Sequence, residues 1–233
     1  MRKALFTPAI RYLVRSAVRT LQRTFDCLGE VHIITDSPWL FVGLQGITLH
    51  PLPSGLPCIP SKRWRCATYK LCPGTLVKRY RYLMYLDFDT LVIDGDFLSQ
   101  CLRSPDLIKM LPARDNNHYT NALLPGEHTH HYSFDSCFIL GEARFLDELF
   151  QRCWELIGEY PHILNTSSEM PYINRALADL GAPRDEIPLV GGVTWAQNSN
   201  DMSQSIYHFN SGNPLHKALR VRKFLSTLSA RSS

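Results

Sequence analysis

Tyr82-Leu83-Met84-Tyr85-Leu86-Asp87-Phe88-Asp89-Thr90-Leu91-Val92-Ile93 reads as an apolar strand that stops to present two carboxylates and then resumes as a second apolar run. A carboxylate at the end of a buried strand is costly unless it is protonated, paired with a cation or bound to a metal. A hard divalent cation such as Mn²⁺ or Mg²⁺ takes oxygen ligands and is commonly held by one or two carboxylates together with substrate phosphates, so the expected co-ligand is a diphosphate. The competing reading is a strand-ending turn in which Asp87 and Asp89 only satisfy backbone donors. The apolar and aromatic run before Asp87 and Leu91-Val92-Ile93 after it favour a central strand that feeds a metal site.

Around this strand the periodicities alternate between two and 3.6 residues. Lys3-Ala4-Leu5-Phe6-Thr7 reads as a first strand, followed by a loop at Pro8 and a helix over residues 10–23 whose Leu13, Val14, Ala17, Val18 and Leu21 share one face. Further strands are expected at 30–35, 46–52, 109–114 and 134–140, and helices at 62–71, 142–160 and 171–180, with a basic helix in the last eighteen residues. A polar stretch at 115–131, carrying His118, His128, His130 and His131, is expected to cross the site. Strands alternating with helices predict an α/β fold, three layers of α/β/α around a mostly parallel central sheet, in one domain spanning 1–233. Ligands of such sheets gather at the carboxyl ends of the strands.

Composition narrows the remaining classes. A chain of 233 residues can bury a substantial core without disulfides, and its seven cysteines show no Cys-x-x-Cys pair. With no signal peptide evident, they read as reduced thiols in a cytoplasmic protein. The formal charge of +4 hides an asymmetry: every acidic residue lies between Asp26 and Asp201. Arg11, Arg15, Arg19 and Arg23 recur every four residues near one end, and Lys217, Arg220, Arg222 and Lys223 lie near the other. On a helix the first set repels itself by a few tenths of a kcal/mol per pair. Such a stripe is a solvated face or a peripheral contact with an anionic membrane, and no nucleic-acid partner is expected.

Four segments together resemble the nucleotide-sugar glycosyltransferases of the GT-A fold, nearest to glycosyltransferase family 8, which includes bacterial lipopolysaccharide galactosyltransferases and glycogenin. Tyr85-Leu86-Asp87-Phe88-Asp89-Thr90-Leu91-Val92 resembles the family's Tyr-Leu-Asp-x-Asp-x-x-Val signature, and Thr68-Tyr69-Lys70-Leu71 lies where the family carries a basic donor contact. Asp135-Ser136-Cys137 is similar to its Asn-Ser-Gly strand, and Glu169-Met170-x-x-x-Asn174 to its Asp-Gln-x-x-x-Asn. His208-Phe209-x-x-Gly212-x-Pro214-x-x-Lys217 resembles its His-x-x-Gly-x-Lys-Pro-Trp segment.

The resemblance implies a metal-dependent glycosyltransferase that acts with retention of configuration, its donor by family default a uridine diphosphate sugar and its acceptor a hydroxyl of a glycan, lipid-linked or protein partner. Asp87, Asp89 and His208 would hold Mn²⁺ or Mg²⁺; Lys70, Gly212 and Lys217 would face the donor diphosphate; Thr7, Tyr12 and Asp36 would hold its base and ribose. Glu169 and Asp135 are the catalytic candidates near the reacting sugar, because Met170 stands where the family has a glutamine. Two alternatives come from other classes. A haloacid-dehalogenase-type phosphatase also ends a strand with Asp-x-Asp, but needs Thr or Val four residues after the first Asp, where this chain has Leu91. A non-catalytic relative would bind nucleotide sugar without turnover.

Overall fold

The computed structural model describes residues 2–24, 30–52, 67–103, 108–112, 124–125, 134–165, 168–182, 193–195, 205–209 and 212–231. The chain opens with helix α1 (Arg2–Thr24), not with the strand and loop expected at residues 3–9. Pro8 lies inside this helix, where it removes one backbone donor without ending it. The apolar face of Ala9, Leu13, Val14, Ala17, Val18 and Leu21 is buried continuously, and tertiary packing of that face outweighs the local signal of proline.

Strands β1 (Val31–Thr35) and β2 (Ile47–Pro51) pair in parallel, Val31 opposite Ile47. A short helix α2 (Leu76–Arg79) leads into β3 (Tyr82–Leu86), and β4 (Thr90–Val92) follows the two acids. Helix α3 (Gly95–Arg103) has no counterpart among the expected elements. Its start is nevertheless written in the sequence: Asp94 Oδ1 accepts from the backbone N–H of Asp96 at 3.0 Å and of Phe97 at 3.3 Å, an N-cap. A side chain at Gly95 would meet the Thr24 carbonyl at 2.5 Å, so only glycine lets this turn approach the end of α1.

Strand β5 (Ile108–Pro112) and the long β6 (Phe134–Glu142) precede helices α4 (Ala143–Glu159) and α5 (Met170–Asp179), and β7 (Val193–Trp195), β8 (Ile206–His208) and helix α6 (Pro214–Arg231) complete the described elements. The strands form three small sheets, β1-β2, β3-β6-β5 and β4-β8-β7. Only β1·β2 and β7·β8 are parallel; β3·β6, β5·β6 and β4·β8 are antiparallel, so the described sheets are not mostly parallel as expected. The strand expected at 134–140 is β6, but the alternation of strands and helices carried no information about its pairing partners, and it enters between β3 and β5 from far along the chain.

Helices cover both faces of the β6 sheet. On one side α4 and α5 bury Leu149, Phe150, Cys153, Ile157, Tyr172 and Leu177 against Met110 and Ile139. On the other, Leu21 of α1 and Phe97 and Cys101 of α3 meet Phe138 and Leu140. Helices α1 and α6 pack side by side over β4 and β8, with Leu13 and Ala17 against Val221, Phe224, Tyr207 and Phe209. The two basic segments of the chain are therefore neighbours. No helix among the described residues is long and apolar enough to cross a membrane.

Candidate functional site

The register of three strands assembles the site. The backbone N–H of Asp87 donates to the Cys137 carbonyl at 3.0 Å, which continues the β3·β6 ladder one residue beyond Leu86. A turn closes as Thr90 N–H donates to the Asp87 carbonyl at 2.9 Å, and Phe209 N–H donates to the Asp89 carbonyl at 2.9 Å. Because Thr90 lies opposite His208 in the β4·β8 ladder, the imidazole is delivered beside both carboxylates. His208 Nε2 lies 3.6 Å from Asp89 Oδ1 and 4.0 Å from Asp87 Oδ2.

These three donors fit a hard divalent cation. Ligand atoms about 2.1 Å from one ion stand about 3.0 Å apart when adjacent in an octahedron and about 4.2 Å apart when opposite. The observed separations fall between those limits, and the ligand atoms of Asp87, Asp89 and His208 all lie within 4.8 Å of one another. Two carboxylates and an imidazole are also the donor chemistry that Mn²⁺ accepts.

Two lysines oppose the acids. Lys217 forms an ion pair with Asp89 Oδ2, and its ammonium lies 5.6 Å from the centre of the exposed Phe88 ring. Its position follows from the start of α6: Asn213 Oδ1 accepts from His216 N–H at 3.1 Å, and Pro214 occupies the first helical position. Gly212, just before, has a φ of +96°, and a side chain there would press on His216 at 3.2 Å. Lys70 is buried; it donates to Glu169 Oε1 at 2.7 Å and to Ser136 Oγ and carbonyl at 2.9 and 3.1 Å, and lies 3.3 Å from Asp87 Oδ1. Ser136 Oγ donates to Glu169 at 2.5 Å, and Tyr85 OH donates to Asp87 Oδ1.

The charges set one another. Burial works to raise the Asp89 carboxyl, but His208 and Lys217 outweigh it and hold the group well below the usual carboxylate range. Burial likewise works against a charged Lys70, yet Asp87 and Glu169 raise its pKa well above the ordinary lysine value. His208 is raised in the same way, burial being outweighed by Asp89, Asp135 and Asp87. The acids are thus matched by cations of the chain itself, and the premise of unpaired carboxylates drawn from the sequence does not hold.

Other residues singled out in the sequence fall in different places. Asp36 is exposed at the end of β1 and accepts from Tyr69 OH at 2.9 Å, one residue from Lys70. Lys70, expected as a donor contact, has its ammonium against Glu169, Ser136 and Asp87. Asp135 is buried behind the imidazole: its Oδ1 accepts from Cys137 N–H at 2.9 Å, and its Oδ2 lies 3.8 Å from His208 Nδ1. Glu169 is buried against Lys70 and Ser136, and Met170 opens α5 beside it.

Thr7 and Tyr12 lie on α1, where Tyr12 packs against the cluster of Leu13, Leu91, Tyr207 and Phe209. The strand expected at residues 3–7 is not formed, so both residues stand on a helix and not at a strand end. His118, His128, His130 and His131 lie outside the described residues. Tyr85 and Ser136 belong to the site and were not singled out. Their signal was the two-residue period: Tyr85 shares a strand face with Asp87, and Ser136 faces away from Asp135 and Cys137.

As a sequence, the chain matches no protein-family profile and no curated protein. As a fold it is similar to solved structures of the galactosyltransferase LgtC, one in complex with donor and acceptor sugar analogs and one of an active-site mutant. Each is 13% identical with a TM-score of 0.53, and the match covers 93% of this chain and 92% of that one. The likeness in the arrangement of helices and strands thus extends over most of both chains.

Proposed function

We propose that this chain is a metal-dependent glycosyltransferase that moves a sugar from a nucleoside diphosphate donor, with uridine diphosphate sugars as the first choice, to a hydroxyl of a glycan, lipid-linked or protein acceptor. The observation that carries the reading is the convergence of Asp87 and Asp89, from the turn between β3 and β4, and His208, from β8, with ligand atoms all within 4.8 Å of one another, in a fold similar to that of a galactosyltransferase. Those three residues would hold Mn²⁺ or Mg²⁺, which when bound supplies positive charge to the departing diphosphate.

The chain's own residues divide the remaining work. Lys217, at the edge of the site beside exposed Phe88, offers its ammonium to the diphosphate. Lys70 and Ser136 fix Glu169, and Tyr85 with Lys70 fixes Asp87, so the carboxylates keep their spacing while substrate enters. Glu169 is the side chain we assign to the electron-poor anomeric carbon, since the thioether of Met170 offers no carbonyl oxygen. Retention of configuration is part of the proposal. The fold likeness to LgtC favours this reading over a haloacid-dehalogenase-type phosphatase.

The test is incubation of the full chain with uridine diphosphate sugars, with Mn²⁺ or with EDTA, followed by NMR of the released or transferred sugar. Metal-dependent release with a retained anomer supports the proposal. An inverted anomer removes retention, and absence of turnover with any donor while binding persists leaves a nucleotide-sugar-binding protein.

A further inference from the structure

We infer that the outer face of helices α1 and α6, with the turn at residues 38–42 beside them, is a docking surface for an anionic lipid membrane. The two ends of the chain build it. Neither Arg2–Thr24 nor Pro214–Arg231 contains an acidic residue, and the packing of Leu13 and Ala17 on Val221 and Phe224 sets the two helices side by side. Arg15, Arg19 and Arg23 form one exposed row on α1, and Arg222 and Lys223 are exposed on α6. Elsewhere on the surface, arginines have acids beside them: Arg79 has Glu30, Arg144 has Glu148, and Arg152 and Arg175 share Asp179. Among the described residues no carboxylate forms an ion pair with Arg15, Arg19, Arg23, Arg222 or Lys223. Like charges four residues apart on a helix repel one another, and an anionic surface relieves that repulsion.

Charge alone would suit any acidic partner; the apolar side chains on the same face select a lipid one. Trp39 and Val42 are 65% and 66% exposed, and the Val42 carbonyl accepts from Arg11 Nη2 at 3.0 Å, which fastens their turn to the arginine row. Leu215 and Leu219 are exposed on α6, Leu219 one turn before Arg222 and Lys223. Among the described residues the other large apolar side chains standing exposed are Phe88 and Leu180, so most of them gather on this face. Tryptophan and leucine interleaved with arginine match the boundary of a bilayer: the rings and aliphatic chains enter the headgroup layer while the guanidinium groups meet lipid phosphates. The contact is shallow. The apolar face of α1 is already buried against Tyr207, Phe209 and α6, and no described helix is long and apolar enough to cross a membrane.

The surface is independent of the proposed chemistry, and its test needs neither metal nor donor. The full chain is mixed with vesicles of phosphatidylcholine alone or of phosphatidylcholine with phosphatidylglycerol, and bound protein is separated by flotation. Expected are binding to the mixed vesicles only, and release as salt rises from about 0.1 to 1 M, where the screening length falls from about 10 to 3 Å. The variant Arg15→Gln/Arg19→Gln/Arg23→Gln should lose roughly 100-fold in partition, each arginine contributing about a factor of five. Brominated acyl chains should quench the tryptophan emission of the bound wild type, and the quenched fraction should fall in Trp39→Phe. Wild-type protein that binds neither vesicle overturns the inference and leaves the face to an acidic protein. Equal binding to both vesicles overturns it as well, as does wild-type partition of the triple variant or unchanged quenching in Trp39→Phe. The vesicle comparison and its salt dependence need no variant to fold.

Discussion

Asp89→Asn tests whether the site acids are matched in the metal-free protein. Two unpaired carboxylates would gain from neutralising one of them, so on the sequence alone the variant should be as stable as wild type or more so. The structure reverses the sign. Asp89 is 3% exposed and lies between Lys217 and His208, so neutralising it takes the carboxylate from Lys217 and leaves His208 facing only Asp87 and Asp135, at 4.0 and 3.8 Å. Breaking a buried pair costs about 3–5 kcal/mol, and Lys217, with 14% of its side chain exposed, has a route to solvent that keeps the cost near the lower end. For a chain of this size about 3 kcal/mol corresponds to roughly 6–12 °C in Tm.

The assay is thermal and urea unfolding of both proteins in EDTA across pH. The folded pKa of Asp89 is depressed, so its contribution is fully present above the unfolded value of about 3.9 and is lost as pH falls through the folded value. The folded pKa of His208 is raised, so its contribution is present below about 6.5 and is lost as pH rises through the folded value. The gap between the proteins should therefore be widest between about pH 4 and 6.5 and narrow on acidification below that window. An Asp89→Asn protein equal to wild type throughout that window would refute the argument.

Lys217→Ala should raise the KM for the donor and lower kcat, because a charge on the diphosphate acts more strongly as the leaving group develops; unchanged kinetics at every donor concentration would place Lys217 outside the chemistry. Glu169→Gln should lower kcat on the order of a hundredfold with little change in donor affinity, measured by steady-state kinetics and by calorimetry with nucleoside diphosphate. Asp87→Asn should abolish metal-dependent turnover while the protein remains folded by circular dichroism. Cys72, Cys101, Cys137 and Cys153 are buried, and burial raises each thiol, Cys72 and Cys101 to about 11, so maleimide mass labelling of these four at neutral pH should be slow until denaturant is added.

Legibility in the sequence followed the range of the interactions. Strand β3 and its two acids were readable because an apolar run interrupted by carboxylates is a local pattern. The helix over 142–160 was readable for the same reason, its apolar period surviving as the buried face of α4. Helix α1 was misjudged at its start because Pro8 is a strong local signal, whereas the contacts that override it come from α6, β4 and β8. His208 was reached through resemblance, since three residues of β8 carry too little pattern to mark a strand. The linkage of Lys70, Ser136 and Glu169 joins three distant segments, and no local feature of any one of them announces the other two.

The order in which the site's parts leave the ribosome follows from the pairing of β4 with β8 and of α1 with α6. Asp87 and Asp89 emerge more than a hundred residues before His208 and Lys217, and α1 emerges before the other described elements yet packs on the last described helix. At typical rates of about 5–20 residues per second, the nascent chain carries Asp89 without the charges of His208 and Lys217 for several seconds or more, whereas Lys70 has already emerged. During that interval the apolar face of α1 also lacks its final partner. Translation must therefore pass His208 before the three proposed ligands can meet, and nascent chains halted short of that point should not retain Mn²⁺ and should be cut by protease at α1.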